Sequence, residues 1–176
     1  STIPQGLATG VRYEITDTLN YQLSYVGNVK VTVSEKAASA HEDLLVLEEG
    51  EDYTLTVTEG TVLVDENEEP ITSFRVALTA AGMQKAAAVA GEVPEIRVYF
   101  DACIDDDAIL GTEIPNQAHV SYENNVGIDF ERDSDLPEVH TGGISLVKVD
   151  ASNRSKRLAG AKFTLNVKNE DGTFVP

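Results

Sequence analysis

The chain holds a single cysteine, Cys103, among 176 residues. It can form no internal disulfide, so any covalent reinforcement has to come from other chemistry. Cys103 follows an apolar run and is expected to be a small buried hydrophobe rather than a nucleophile. Basic residues are scarce: 13 Lys and Arg face 30 Asp and Glu, for a formal net charge of −17. That field repels phosphate, which argues against nucleic-acid partners, and its plain reading is solubility. No apolar run is long enough to span a membrane. No signal peptide is visible, and Ser1-Thr2-Ile3-Pro4 reads as a mid-chain position. Catalytic signatures are missing as well: there is no G-x-S-x-G, H-E-x-x-H, C-x-x-C or phosphate loop. The histidines, His41, His119 and His140, are scattered.

What the chain does have is alternation. Val11, Tyr13 and Ile15 alternate with Arg12 and Glu14, and Val29, Val31 and Val33 with Lys30 and Thr32. Tyr53, Leu55 and Val57 follow, then Phe74, Val76 and Leu78, then Ile96, Val98 and Phe100, then Ala118, Val120 and Tyr122. Ile128 and Phe130 come after the turn-rich Asn124-Asn125-Val126-Gly127, which suggests a hairpin. Period-2 runs between turn signals predict an antiparallel sandwich with one face of each sheet buried. The alanine-rich segment Ala80–Ala90 breaks the pattern and predicts one short helix ending near Gly91 and Pro94. The acidic stretches Glu48–Asp52 and Asp65–Glu69 are expected to be exposed loops.

This first domain is expected to span residues 1–132. Residues 133–143 have the acidic, Pro and Gly content of a linker. Residues 144–176 then predict two or three strands, Ile144–Val149, Lys162–Lys168 and Thr173–Val175, as the opening of a second β domain. Those strands alone bury too little surface to fold independently.

Few residues invite chemistry. Asp105-Asp106-Asp107 is a plain acidic run, and Asp129, Glu131, Asp133 and Asp135 alternate along one side of a strand. Neither has the curved, glycine-bent spacing of a hard-cation loop, so both read as solvated edges and no metal or other cofactor is expected. Asn153-Arg154-Ser155 fits a glycosylation acceptor, a weak signal. His119 should point outward. Two polar residues fall in phase with apolar faces. Asp17 continues the inward series Val11, Tyr13 and Ile15, and an unpaired carboxylate there is expensive. Asn116 continues inward from Tyr122, Val120 and Ala118. Either they share one buried site, or Asp17 caps a turn and Asn116 merely follows Pro115 where a strand opens. Lys148 is in phase with Ile144 and Leu146, but Val147 and Val149 make the other face apolar too. Its direction stays open, with snorkelling at a sheet edge as the alternative.

Three runs carry a family likeness: YEITDTLNYQLSYVGNVKVTV (13–33), IPNQAHVSYEN (114–124) and ISLVKVDASNRSKRLAGAKFTL (144–165). Together they resemble the backbone pilins of sortase-assembled Gram-positive pili. The first two resemble the collagen-adhesin A-type middle domain and the third the start of a collagen-adhesin B-type domain; residues 34–110 carry little of the likeness. The resemblance implies an all-β, immunoglobulin-like β-sandwich followed by a partial second β domain. It implies a structural, non-enzymatic shaft subunit of a cell-surface pilus, outside the cell and attached to the wall. Its partners would be neighbouring pilin subunits joined by sortase, with host surface molecules as further candidates. It also implies self-made Lys–Asn amide bonds. Asn116 matches the amide partner and Asp17 the assisting acid of the first domain, with the lysine on a strand before the one containing Tyr13. Lys30, Lys36 and Lys85 are poor substitutes, the first pointing outward and the others in loop or helix. Lys148 matches the reactive lysine of the second domain, its asparagine lying beyond Pro176. The alternatives are an accessory pilin or wall-anchored adhesin built from the same domains, which binds host molecules and serves colonisation, and, further off, a secreted metal-using enzyme.

Overall fold

A computed structural model of the chain describes residues 1–36, 41–109, 111–140, 147–164, 166–168 and 173–175. The chain divides into two compact units, Ser1–Thr141 and Gly142–Pro176.

The first unit is an immunoglobulin-like β-sandwich with one helix, as the alternation predicts. Its strands are β1 (Arg12–Thr18), β2 (Leu23–Lys36), β3 (His41–Leu47), β4 (Tyr53–Val64), β5 (Asn67–Leu78), β6 (Pro94–Ile104), β7 (Glu113–Pro115), β8 (Ala118–Glu123), β9 (Asp129–Asp133) and β10 (Glu138–His140), with α1 at Ala80–Ala87. One sheet has the order β4-β5-β1-β8-β9 and the other β3-β2-β6, all pairs antiparallel, while β7 pairs with β10. The inward residues of the predicted runs make the core: Tyr13, Ile15, Val31, Val33, Tyr53, Phe74, Val76, Leu78, Ile96 and Tyr122 are buried. Phe74 of β5 joins the sheets, its ring centroid 5.6 Å from that of Tyr25 on β2 and 4.7 Å from that of Phe100 on β6. Such offset and tilted pairs add to simple burial.

The helix α1 seals one end. Thr79 caps it, accepting from the Gly82 N–H at 3.1 Å and donating to the Glu51 carbonyl at 2.7 Å. Lys85 of α1 pairs with Asp52 at 2.7 Å. Gly82 lies against the Asp52 backbone so closely that a Cβ there would overlap the carbonyl.

Several expectations need correction. Val11 is exposed and precedes β1. Cys103 is exposed too: the last residues of β6 pair with Leu23–Tyr25 beyond the edge of the core. The acidic stretch Asp65–Glu69 is a tight hairpin end, with Asp65 at φ 46° and Glu66 at φ 71° between β4 and β5. Asp52 is fully buried in its turn. Residues 138–140, expected in a linker, form β10 on β7, in register Val139 opposite Ile114. Lys36 closes β2 and does not lie in a loop.

In the second unit the described strands are β11 (Val167–Lys168) and β12 (Phe174–Val175), paired antiparallel, with a single bridge between Val149 and Arg157. Ile144–Leu146 and part of Lys162–Lys168, expected as strands, lie outside the described residues; Lys162, Phe163 and Thr164 are described and are not in a strand.

Candidate functional site

Asp17 stands near the end of β1, opposite Phe74 on β5 and Ala118 on β8. Alternation with Tyr13 and Ile15 turns it inward, where it is 4% exposed. Asn116 lies between β7 and β8, its N–H bonded to the Pro137 carbonyl at 3.1 Å. Pro115, the last residue of β7, has a fixed φ just before it. The two side chains meet: Asn116 Nδ2 donates to Asp17 Oδ2 at 2.8 Å. The remaining oxygens, Asp17 Oδ1 and Asn116 Oδ1, are buried without a hydrogen-bond partner. Burial pushes the Asp17 carboxyl above its ordinary value, and the Asn116 hydrogen bond opposes this only in part. A neutral Asp17 can donate as well as accept. A half-turn of the Asn116 amide then sets its carbonyl oxygen against that donor, which polarises the carbonyl toward attack.

Both residues line a groove of about 690 Å³ between β6 and β8. Phe74, Val98, Phe100 and Arg132 are among its walls, and among the described residues no lysine lines it. Lys30 and Lys85 are held elsewhere, on Asp43 at 2.7 Å and Asp52 at 2.7 Å. Lys148 is exposed in the second unit, its carbonyl accepting from the Leu158 N–H at 2.9 Å.

The outer face of the three-stranded sheet carries a cluster the alternation did not disclose. Thr32 and Ser34 are fully buried although Val31 and Val33 fill the opposite face. Their hydroxyls lie 2.8 Å apart, and both donate to Asp43 Oδ1, at 3.1 and 2.9 Å. Lys30 completes the cluster, lying 5.0 Å from the Tyr99 ring centroid. Its hydrogen bond, followed by that of Ser34, lowers the Asp43 carboxyl to about 2. The signal missed was an acid on a neighbouring strand opposite two hydroxyls. His119 turns outward, bonded to Asp133 at 2.7 Å. Among the described residues no three His, Cys, Asp or Glu side chains converge to hold a metal ion, and no helix is long and apolar enough to cross a membrane.

The architecture is that of an immunoglobulin-like sandwich with a buried acid and a half-buried amide paired at a groove between its sheets. Among solved structures the chain is similar to the crystal structure of BcpA, the major pilin subunit of Bacillus cereus, with a TM-score of 0.57 at 15% sequence identity. The likeness covers 97% of this chain and 46% of that one, so the chain spans about half the length of its structural neighbour. No protein-family profile and no curated protein matches the sequence.

Proposed function

We propose that the chain is part of a structural shaft subunit of a covalently polymerised pilus on the wall of a Gram-positive cell, reinforced by an internal Lys–Asn amide at Asn116. The observation that carries this is the Asp17–Asn116 pair. A buried acid meets a half-buried amide, each with a buried oxygen lacking a partner, in a sandwich that shares its fold with a major pilin. An unsatisfied buried pair costs about 1–3 kcal/mol per group, which makes its retention for chemistry the economical explanation.

The chemistry balances. A lysine Nζ, neutral because it is desolvated, attacks Cγ of Asn116. The new C–N bond forms as the bond from Cγ to Nδ2 breaks. In its protonated form, which burial favours, Asp17 donates to the amide oxygen and then passes protons from the incoming to the departing nitrogen, so ammonia leaves. Folding supplies the orientation, and the event occurs once. The lysine is supplied by a strand outside residues 1–176. Lys148 plays the corresponding part in the domain that begins in the second unit. A bond between distant strands restricts the unfolded chain by ~3–5 kcal/mol. It also carries load that hydrogen bonds would otherwise bear. Neighbouring subunits joined by sortase are the partners on this reading.

Peptide mass spectrometry on the mature protein tests it. Branched peptides at Asn116 and Lys148, each lighter by one ammonia, are expected. Linear, unmodified peptides at both positions overturn the cross-linking role.

A further inference from the structure

The strand β4 is outermost in the order β4-β5-β1-β8-β9, paired with β5 in unbroken register from Tyr53 opposite Leu78 to Val64 opposite Asn67. Among the described residues, its other side is met only at Tyr53. The Tyr53 N–H donates to the Glu48 carbonyl at 3.4 Å, and the Tyr53 carbonyl accepts from the Gly50 N–H at 2.8 Å. Main-chain groups alternate sides along an antiparallel strand, so those of Leu55, Val57, Glu59, Thr61 and Leu63 share this open side. Sheet edges are usually blunted by charge, proline or a bulge. The far edge of the same sheet, β9, reads DFERD, with four charges in five residues. In contrast, β4 has no lysine, proline or bulge, and one charge, Glu59, in twelve residues of a chain that is 24% charged. Even Glu59 is turned to its neighbour, accepting from Thr72 Oγ1 at 3.0 Å. Val57, Val62 and Leu63 are exposed along this edge, Leu63 at 70%.

We propose that β4 is a self-pairing edge: two copies of this chain associate through it, antiparallel about a two-fold axis at Gly60, and their five-stranded sheets become one. The contact is sideways and noncovalent, and it does not depend on chemistry at Asn116. A second copy fits because the edge is its own complement. An axis at Glu59 would align the whole open stretch but set two carboxylates face to face, which is destabilising. An axis at Gly60 puts Glu59 opposite Thr61 and exposed Val57 opposite exposed Leu63, each pair occurring twice. All of these residues have open main-chain groups, and each pair exchanges two hydrogen bonds. On the other face Thr58 lies opposite Val62, and at the axis Gly60 meets Gly60 with no side chain between. Charge agrees with this register. Copies of net charge −17 repel over most of their surface, and a nearly uncharged edge lets them approach. The acidic Asp65–Glu66 turn of each copy comes beside the Thr54–Thr56 stretch of the other. Exposed Arg75 is next to that stretch, as the register partner of Thr56.

Sedimentation velocity on the full chain, in about 0.5 M sodium chloride to screen the like net charges, reads the association. A two-copy species that grows with concentration is expected. Thr61→Pro removes an open N–H and leaves the β5 ladder intact, so it should weaken association about tenfold or more while tyrosine fluorescence stays that of the folded chain. Disulfide formation reads the axis, in a Cys103→Ser background that removes the exposed native thiol. A Cβ at Gly60 would meet only Ile71 Cγ1 at 3.7 Å, so Gly60→Cys is accommodated. It should oxidise to a linked pair about tenfold or more faster than Thr56→Cys, whose counterpart in the other copy lies several residues away. A single copy at every concentration, with Gly60→Cys no faster than Thr56→Cys, overturns the proposal. Association indifferent to Thr61→Pro takes the contact off this edge and overturns it as well. Association that Thr61→Pro weakens, but that links as fast through Thr56→Cys as through Gly60→Cys, overturns the axis at Gly60.

Discussion

Replacing Asp17 by asparagine should make the first unit more stable near neutral pH, although it removes a charged partner from a hydrogen bond. Asp17 is 4% exposed, and one of its two oxygens has no partner. A buried acceptor left unsatisfied costs about 1–3 kcal/mol, more when charged, and the single bond from Asn116 returns only part of that. The amide side chain of the variant keeps the shape and the acceptor for Asn116 and removes the buried charge. The gain should be about 1–2 kcal/mol at neutral pH, once the neutral amide that replaces the orphaned oxygen is counted. The pH dependence follows from the raised carboxyl. The native state holds the Asp17 proton more tightly than the unfolded chain does, whose value is 3.8. Wild-type stability therefore falls as pH rises from 3.8 through the higher native value, and the full cost persists above it. The advantage of Asp17→Asn should vanish below pH 3.8 and be complete only above the raised native value. All six tyrosines lie in the first unit, so tyrosine fluorescence during urea unfolding reports that unit alone. The midpoint should move up by about 0.5–1 M urea near neutral pH. A variant no more stable than wild type at neutral pH, or a gain that ignores pH, would refute the account of Asp17 as a desolvated, underpartnered acid.

Gly82→Ala sets helix propensity against contact. Alanine gains about 1 kcal/mol in a helix interior, but its Cβ would overlap the Asp52 carbonyl, and backbone cannot step aside as a side chain can. A net loss of about 2 kcal/mol is expected, lowering Tm by roughly 4–8 °C; a rise in Tm on a thermal scan would show that the helix can shift freely. The Asp43 carboxyl should titrate at about 2 by NMR, and Lys30→Met should return it toward the ordinary range, since the Lys30 hydrogen bond is the largest cause of its depression. Because that value is lowered, its contribution to stability is whole above pH 3.8 and is lost as pH falls toward about 2. A midpoint unmoved by Lys30→Met would mean that the hydroxyls of Thr32 and Ser34 hold the carboxylate unaided.

The sandwich was legible because its strands have one wet face, so alternation declared both the strands and their inward residues. The same alternation singled out Asp17 and Asn116, two polar residues where apolar ones were due, and the fold brings them to 2.8 Å. The elements that escaped notice break that premise. β3 runs HEDLLVL, with Leu44 and Val46 exposed beside buried Leu47, so hydrophobicity and burial part company. Both β7 and β10 are only three residues long, too short for any period to register. The β4–β5 turn uses Asp65 and Glu66 at positive φ instead of the Asn-Gly pair that such turns favour. Thr32 and Ser34 are buried on the outer face by Asp43, a partner from another strand, and nothing local to β2 announces it.

The β4–β5 hairpin is twelve residues on each side, and the core ends well before the hairpin does. Tyr53 and residues from Thr72 to Leu78 include its buried members, whereas nearly every position from Thr58 to Leu63 and from Asn67 to Glu69 is exposed. Main-chain bonds carry the ribbon outward, and its far side chains owe almost nothing to the packing that folds the unit. Substitutions there should fall within about 0.5 kcal/mol of neutral. The tip is thus a surface whose chemistry can drift, acquiring or shedding charge and shape, while the folding free energy of the domain below it stays where it was.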